Sequence, residues 1–137
     1  DELNLIHQGN NYGWPVVGYG VNYGSGTTIH EGTIREGVEP PKHFWVPSIA
    51  TSGLMVYTGD RFPEWRGNVF VGGMRGEQLA RLVLDGDEVT REETLVQNLG
   101  RIRDVRQGPD GLIYLAIDGR GAQRTPIVRL HPAEDDR

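Results

Sequence analysis

Two arginines, Arg101 and Arg103, stand two residues apart just before an apolar segment of the chain. On an extended strand, side chains two residues apart project from the same face. Two guanidinium groups on one face can hold a planar carboxylate through paired hydrogen bonds, which a lysine ammonium does less well. The alternative is that the arginines form ion pairs with Asp104, Asp110 or Asp118. On the residues alone, these ion pairs are the simpler interpretation.

The arginines belong to a series of short strands separated by turns. The "QGPDG" sequence at 107–111 is typical of a turn, and Leu112–Ile117 is an apolar, β-branched run typical of a strand. The same analysis predicts earlier strands at Leu54–Thr58, Val69–Val71, Gln78–Leu84 and Val89–Val96, and later ones at Arg101–Arg106 and Ile127–Leu130.

These strands form an internal repeat, because "GNVFVGGMRGEQLARLVLDG" resembles "GLIYLAIDGRGAQRTPIVRLHP" in its order of strand, Gly-containing connection and strand. Repeats of about 40 residues with four antiparallel strands are typical of propeller blades. The repeat predicts one complete blade over residues 52–98 and an incomplete last blade over 100–131. Two blades do not close a ring, so the remaining blades belong to the same protein or to another chain.

The composition narrows the classes of function. With 137 residues and a net charge of −5, the chain does not have the basic character of a nucleic-acid-binding protein. No apolar run is long enough to span a membrane, and the absence of cysteine excludes disulfides and thiolate metal sites within the chain. Residues 1–48 are predicted to be a loop-rich segment with a short strand near Leu3–Ile6, whereas 49–137 carries the two blades.

A set of motifs in fixed order resembles the C-terminal part of the soluble pyrroloquinoline-quinone (PQQ)-dependent sugar dehydrogenases, the family of aldose sugar dehydrogenase and soluble glucose dehydrogenase. The motifs are "DELNLI" at 1–6, "GNNYGWP" at 9–15, "PSIATSGL" at 47–54, "GDRFPEWRGNVFVGG" at 59–73 and "RIRDVRQGPDG" at 101–111. The resemblance implies an all-β fold, namely part of a six-bladed β-propeller that binds cofactor and sugar over one end of its channel. This chain would supply about two blades and a long ordered loop region.

The resemblance also proposes ligands for the arginines. PQQ carries three carboxylates on a planar frame, and Arg101 and Arg103 match the family's cofactor-contacting pair. Arg75 lies near the position of another basic contact. With the resemblance, the cofactor interpretation is favoured over simple ion pairs.

A calcium site is implied at the start of the chain. Glu2 matches a family calcium ligand, and the backbone carbonyl of Tyr12 would be another. Carboxylate and carbonyl oxygens in irregular loops suit Ca²⁺. The alternative for Glu2 is a solvated carboxylate.

The family uses a histidine to take a proton from the sugar, and none of the four histidines here stands in that motif. We therefore expect no catalytic residue in this chain and interpret the four as surface or loop residues: His7, His30, His43 and His131. The resemblance implies a periplasmic or secreted oxidoreductase that oxidises the C1 hydroxyl of an aldose to a lactone, with hydride transfer to PQQ. The alternatives are a non-catalytic propeller binding module and a calcium-dependent lactonase-like hydrolase. The hydrolase would need carboxylate and Asn ligands that converge on the central channel, and an arginine pair facing the channel argues against it.

Overall fold

A computed structural model describes residues 1–119, 121 and 125–133. The chain divides into two compact units, Asp1–Ser48 and Ile49–Arg137. Regular structure in the described residues consists of nine β-strands and one 3-10 turn at Pro63–Trp65, so the all-β prediction is confirmed. Within the described part of the chain, no helix is long and apolar enough to cross a membrane.

The first unit is mostly loop around a two-stranded antiparallel sheet of β1 (Glu2–Leu3) and β2 (His43–Phe44). Aromatic side chains anchor the loops, as in the parallel stack of Tyr19 on Phe44 with ring centroids 3.9 Å apart. The strand expected near Leu3–Ile6 is shorter and begins earlier, because its pairing partner covers only Glu2 and Leu3.

The second unit contains two antiparallel sheets in simple sequence order. The first sheet has four strands: β3 (Thr51–Val56), β4 (Val69–Gly73), β5 (Gln78–Asp85) and β6 (Glu88–Gln97). The second sheet has three: β7 (Arg101–Gln107), β8 (Ile113–Asp118) and β9 (Ile127–Leu130). This is the predicted arrangement of one four-stranded and one three-stranded blade.

Burial differs sharply between the inner and outer strands of the first sheet. Strand β4 is buried along its whole length, whereas most side chains of the polar strand β6 are exposed, as expected of an outer strand. One apolar core joins the two sheets, and its largest fully buried members are Tyr57, Phe70, Leu79, Ile102, Ile113, Leu115, Ile117 and Val105.

Each sheet begins with a strand that carries a β-bulge at the same place. In β3 the register shifts between Thr51 and Leu54, and in β7 it shifts between Ile102 and Asp104, which leaves Arg103 as the extra residue. The bulge allows Ile102 and Val105, three residues apart, both to be fully buried. The strict two-residue alternation assumed for Arg101 and Arg103 therefore does not hold across this strand.

Candidate functional site

The arginine pair lies at one end of the two sheets, where β7 begins and the loop between β4 and β5 turns. Met74, in this loop, brings the two guanidinium groups together. Its sulfur lies 3.7 Å from Arg101 Nη2 and 3.2 Å from Arg103 Nη1. The two side chains therefore converge even though the bulge interrupts the strand between them.

One of the three suggested ion pairs is present. Arg103 donates from Nε and Nη2 to Asp118 Oδ2, at 3.1 and 2.9 Å, and its side chain is half exposed. Asp104 instead accepts from Arg106 Nε at 2.9 Å. Arg101 is half-buried and has no carboxylate partner among the described residues.

The carboxylate of Asp110 is used at the other end of the second sheet. It accepts a hydrogen bond from the Tyr114 hydroxyl at 2.8 Å and lies 3.7 Å from Arg129 Nη1. The Tyr114 hydrogen bond, with smaller help from the Leu112 amide and Arg129, lowers the pKa of Asp110, while partial desolvation opposes this. Asp110 therefore does not neutralise the arginine pair.

Arg75 follows Met74 in the same loop. Its amide donates to the Ile49 carbonyl at 2.9 Å, which fixes the backbone. Its side chain is exposed, and its guanidinium makes no hydrogen bond or ion pair with another described residue. The loop thus places a third positively charged side chain next to Met74, which both Arg101 and Arg103 contact.

Strained backbone marks the same end of the sheets. Among the described residues, four non-glycine residues have positive φ angles, and all lie at the end of the first sheet where the loop joins β4 to β5: Ala50 (52°), Glu77 (47°), Val96 (47°) and Asn98 (62°). For a β-branched residue such as Val96 this is a true outlier, and such strain clusters at ligand clamps and active sites. The strain supports a functional role for this end.

The opposite end of the sheets is held by hydrogen bonds, of which those to the Tyr57 hydroxyl are buried. The Tyr57 hydroxyl donates to the Gly111 carbonyl at 2.7 Å and accepts from the Phe62 amide at 3.2 Å. The carboxamide oxygen of Gln107 accepts from the Thr58 amide at 2.8 Å. The "GDRF" and "GPDG" sequences therefore have a structural use, since they tie the two sheets together.

A buried arginine that the sequence did not single out lies in the first sheet. Arg81 on β5 donates to Asn68 Oδ1 at 2.6 Å and pairs with Glu93 on β6. Its guanidinium carbon lies 5.3 Å from the ring centroid of Trp65. The Arg81 hydrogen bond is the main cause of a lowered pKa of Glu93. Because every contact is internal, this cluster holds the sheet together.

The two predicted calcium ligands belong to the first unit. Glu2 is half-buried in β1, and Asn4 Nδ2 lies 3.4 Å from its Oε2. The Tyr12 hydroxyl donates to the Leu5 carbonyl at 2.9 Å and accepts from the His7 amide at 2.6 Å, so it fastens its loop to the segment after β1.

One feature of this region fits a cation. Asn4 Oδ1 is buried and has no hydrogen-bond partner among the described residues, and the nitrogen of the same amide lies next to the Glu2 carboxylate. No group of three or more His, Cys, Asp or Glu side chains that could hold a metal occurs among the described residues. A cation here would therefore depend on amide and carbonyl oxygens together with Glu2.

One histidine, His43, differs from the surface or loop interpretation, whereas His30 lies in a loop as expected but is buried. His30 is buried, with Nδ1 2.6 Å from the Pro15 carbonyl oxygen and its ring edge-on to Trp14. His43 lies in β2, and its ring packs edge-on against Trp45. These contacts explain both residues by packing, whereas His7 and His131 are exposed.

Comparison with known proteins identifies the family. The family model for Glucose / Sorbosone dehydrogenase matches residues 1–129, which is nearly the whole chain. The chain belongs to this family. It spans about a third of the length of the relatives that it matches.

Three relatives show the extent of the likeness. The aldose sugar dehydrogenase YliI of Escherichia coli is 41% identical over 121 residues, which cover 86% of this chain and 32% of the relative. A crystal structure of a glucose dehydrogenase is 43% identical with a TM-score of 0.86, and the match covers 96% of this chain and 38% of that one. The PQQ-bound aldose sugar dehydrogenase of Streptomyces coelicolor is 29% identical with a TM-score of 0.66, covering 96% and 36%.

The comparisons establish that the chain is part of a propeller-type member of the glucose/sorbosone dehydrogenase family.

The sequence did not predict the contact of Arg103 with Met74, and it left the ion pair of Arg103 with Asp118 as one of several alternatives. The spacing of Ile102 and Val105 is the signal that could have revealed the bulge, because two apolar residues three apart interrupt the strand alternation.

Proposed function

We propose that the protein containing this chain is a PQQ-dependent aldose sugar dehydrogenase, and that this chain supplies contacts to the cofactor carboxylates. The observation that carries the proposal is the convergence of Arg101 and Arg103 on Met74, with Arg75 next to it. It is supported by family membership and by the PQQ-bound relative.

The residues present fit a polycarboxylate quinone. Arg101 has no competing carboxylate among the described residues, so its charge is available to a ligand. Arg103 keeps N–H groups beyond those given to Asp118, and Arg75 is exposed in the adjacent loop. Guanidinium groups pair with carboxylates bidentately and also stack on aromatic frames.

The chain's own part in the reaction is binding and orientation. When bound, PQQ supplies the hydride acceptor for oxidation of the aldose C1 hydroxyl to a lactone. The arginines would hold the carboxylates and so fix the plane of the ring system relative to the sugar. The proposal assigns no proton transfer to this chain, because the histidines described above are explained by packing or lie exposed.

A calcium ion near β1 is a further part of the proposal. Glu2, the carbonyl of Tyr12 and the unpartnered amide oxygen of Asn4 are the oxygen donors that would hold it. Such an ion would order the loops of the first unit, which contain little regular structure. A periplasmic or secreted location is likewise proposed, on the resemblance to the sugar dehydrogenases.

The test is titration of the intact apoprotein with PQQ after replacement of each arginine by alanine. Hydrogen bonds to charged groups contribute about 1.5–3 kcal/mol each. We expect affinity to fall about tenfold to a hundredfold per substitution, since about 1.4 kcal/mol corresponds to a factor of ten. Arg103→Lys should recover only part of this, because the ammonium keeps the charge without the planar fork.

Arg66→Ala is the matched control, because Arg66 is exposed beyond the far end of β3. It should leave PQQ affinity unchanged. If the arginines serve only as structural ion pairs, the melting temperature should fall while affinity per folded molecule stays constant. Unchanged PQQ binding in a folded Arg101→Ala/Arg103→Ala variant would refute the cofactor role.

A further inference from the structure

The guanidinium of Arg103 is held from two sides. Asp118 Oδ2 receives hydrogen bonds from Nε at 3.1 Å and from Nη2 at 2.9 Å. On the other side, Nη1 lies 3.2 Å from the sulfur of Met74. Because these contacts are on different nitrogens of a planar group, they fix both its position and the tilt of its plane.

This arrangement leaves a defined part of the guanidinium for a ligand. A guanidinium has five N–H donors, of which Asp118 takes two and Met74 one. The remaining donors are one N–H on each terminal nitrogen. Two terminal nitrogens can bind the two oxygens of a carboxylate in parallel, which is the strong geometry for this pair of groups.

The preceding sheet shows that the fold does not need this ion pair. In strand pairing Thr51 faces Gly73, as Arg101 faces Asp118, and the bulge follows in both first strands. The positions that correspond to Arg103 and Asp118 are therefore occupied by Gly53 and Gly73. The same bulge and pairing form there without either charge, so the ion pair has a use other than making the blade.

We propose that Asp118 is a positioning residue that, with Met74 on the opposite side, orients the Arg103 guanidinium for a carboxylate of the bound ligand. This rests on the proposed cofactor role of Arg103 and adds the means by which its geometry is set. Asp118 does not itself contact the ligand. Its effect passes through Arg103 alone.

The decisive experiment is a double-mutant cycle in the intact apoprotein, with PQQ as the titrant. We expect Asp118→Asn to weaken PQQ binding about tenfold, by analogy with metal sites, where removal of a residue that orients a ligand side chain costs about tenfold to a hundredfold. In an Arg103→Ala background, Asp118→Asn should have no further effect. Asp118→Glu should restore part of the affinity, because it keeps a carboxylate acceptor.

The control is Asp110→Asn, which removes a carboxylate that also has an arginine neighbour but lies at the other end of the same sheet. It should leave PQQ affinity unchanged. Asp118→Gly provides a second variant should the asparagine disturb folding, since glycine occupies the corresponding position in the preceding sheet. It should lose affinity to the same extent as Asp118→Asn.

The contribution of Met74 is tested by Met74→Leu, with Met55→Leu in the buried core as the matched control. We expect only about a twofold to threefold loss, because a thioether sulfur is a weak acceptor. Equal affinities in the two leucine variants would overturn the part assigned to Met74.

Three outcomes would overturn the role of Asp118. One is tighter PQQ binding by Asp118→Asn, as expected if the carboxylate acts only as a negative charge that repels an anion. The others are unchanged binding, and an equal loss with and without Arg103. If Arg103→Ala alone leaves PQQ affinity unchanged, the proposed cofactor role fails instead, so the two failures are distinguishable.

Discussion

The contact between the first strands of the two sheets can be tested at Gly53. A Cβ atom placed on Gly53 would lie 2.7 Å from the amide nitrogen of Val105 and 2.8 Å from Asp104 Cα. Ordinary contacts begin at 3.4 Å, so β7 would have to move away until the distance to the Val105 nitrogen rises from 2.7 to 3.4 Å, a shift of about 0.7 Å. Both neighbours are backbone atoms, and they cannot rotate away as a side chain would.

We therefore expect Gly53→Ala to reduce the free energy of unfolding by about 2–3 kcal/mol, the upper part of the range for overpacking. The assay is urea unfolding of the intact protein, followed by tryptophan fluorescence. The same displacement carries Arg103, which directly precedes Asp104, and so PQQ affinity should fall together with stability.

Gly32→Ala is the matched control, because its Cβ would meet only the Ile34 carbonyl oxygen at 3.9 Å and its φ angle is not positive. It should change stability by no more than about 0.5 kcal/mol. Equal stabilities of Gly53→Ala and Gly32→Ala would refute the close-packing argument for the two sheets.

Two further predictions concern buried polar contacts. Tyr57→Phe should lower the free energy of unfolding by about 2–3 kcal/mol, because it leaves the Gly111 carbonyl and the Phe62 amide buried without their partner. Tyr114→Phe, which removes an exposed hydroxyl, should lower it clearly less. Equal losses of the two variants in urea unfolding would contradict this reasoning. Arg81 lowers the pKa of Glu93 from 4.5, so the stabilisation by this pair is complete above pH 4.5 and is lost as the pH falls through the lowered pKa. Glu93→Gln should therefore flatten the dependence of the melting temperature on pH below 4.5, and an unaltered slope would show that Glu93 is not responsible.

The strands of the second unit could be predicted because their signals are local. Turn residues bound each strand, and the polar side chains of β6 identified it as the outer strand before any pairing was known. Pairing between distant segments could not be read in the same way. The short β1 strand ends at Leu3 because its partner is His43–Phe44, about forty residues later, and no local pattern contains that partner.

The candidate site was predictable in its residue types but not in its geometry. The spacing of Arg101 and Arg103 indicated a shared function, yet the contacts that fix them come from Met74 and Asp118, which lie on other strands or loops. Arg81 is a buried residue that its sequence neighbourhood did not indicate. Its partners Glu93, Asn68 and Trp65 come from three separate segments. Arginine alone gives no sign of whether its partners will be protein or ligand.

Ser52 connects the two sheets at the level of the backbone. Its hydroxyl lies 2.6 Å from the Ile102 carbonyl oxygen in the second sheet and 3.0 Å from the Gly72 carbonyl oxygen in its own, so one hydrogen is shared between two strands. Gln107 makes a similar connection at the other end of the same strand pair. As a consequence, neither sheet can open without exposing polar groups of the other, and the two repeats should unfold as one cooperative unit instead of as separable modules.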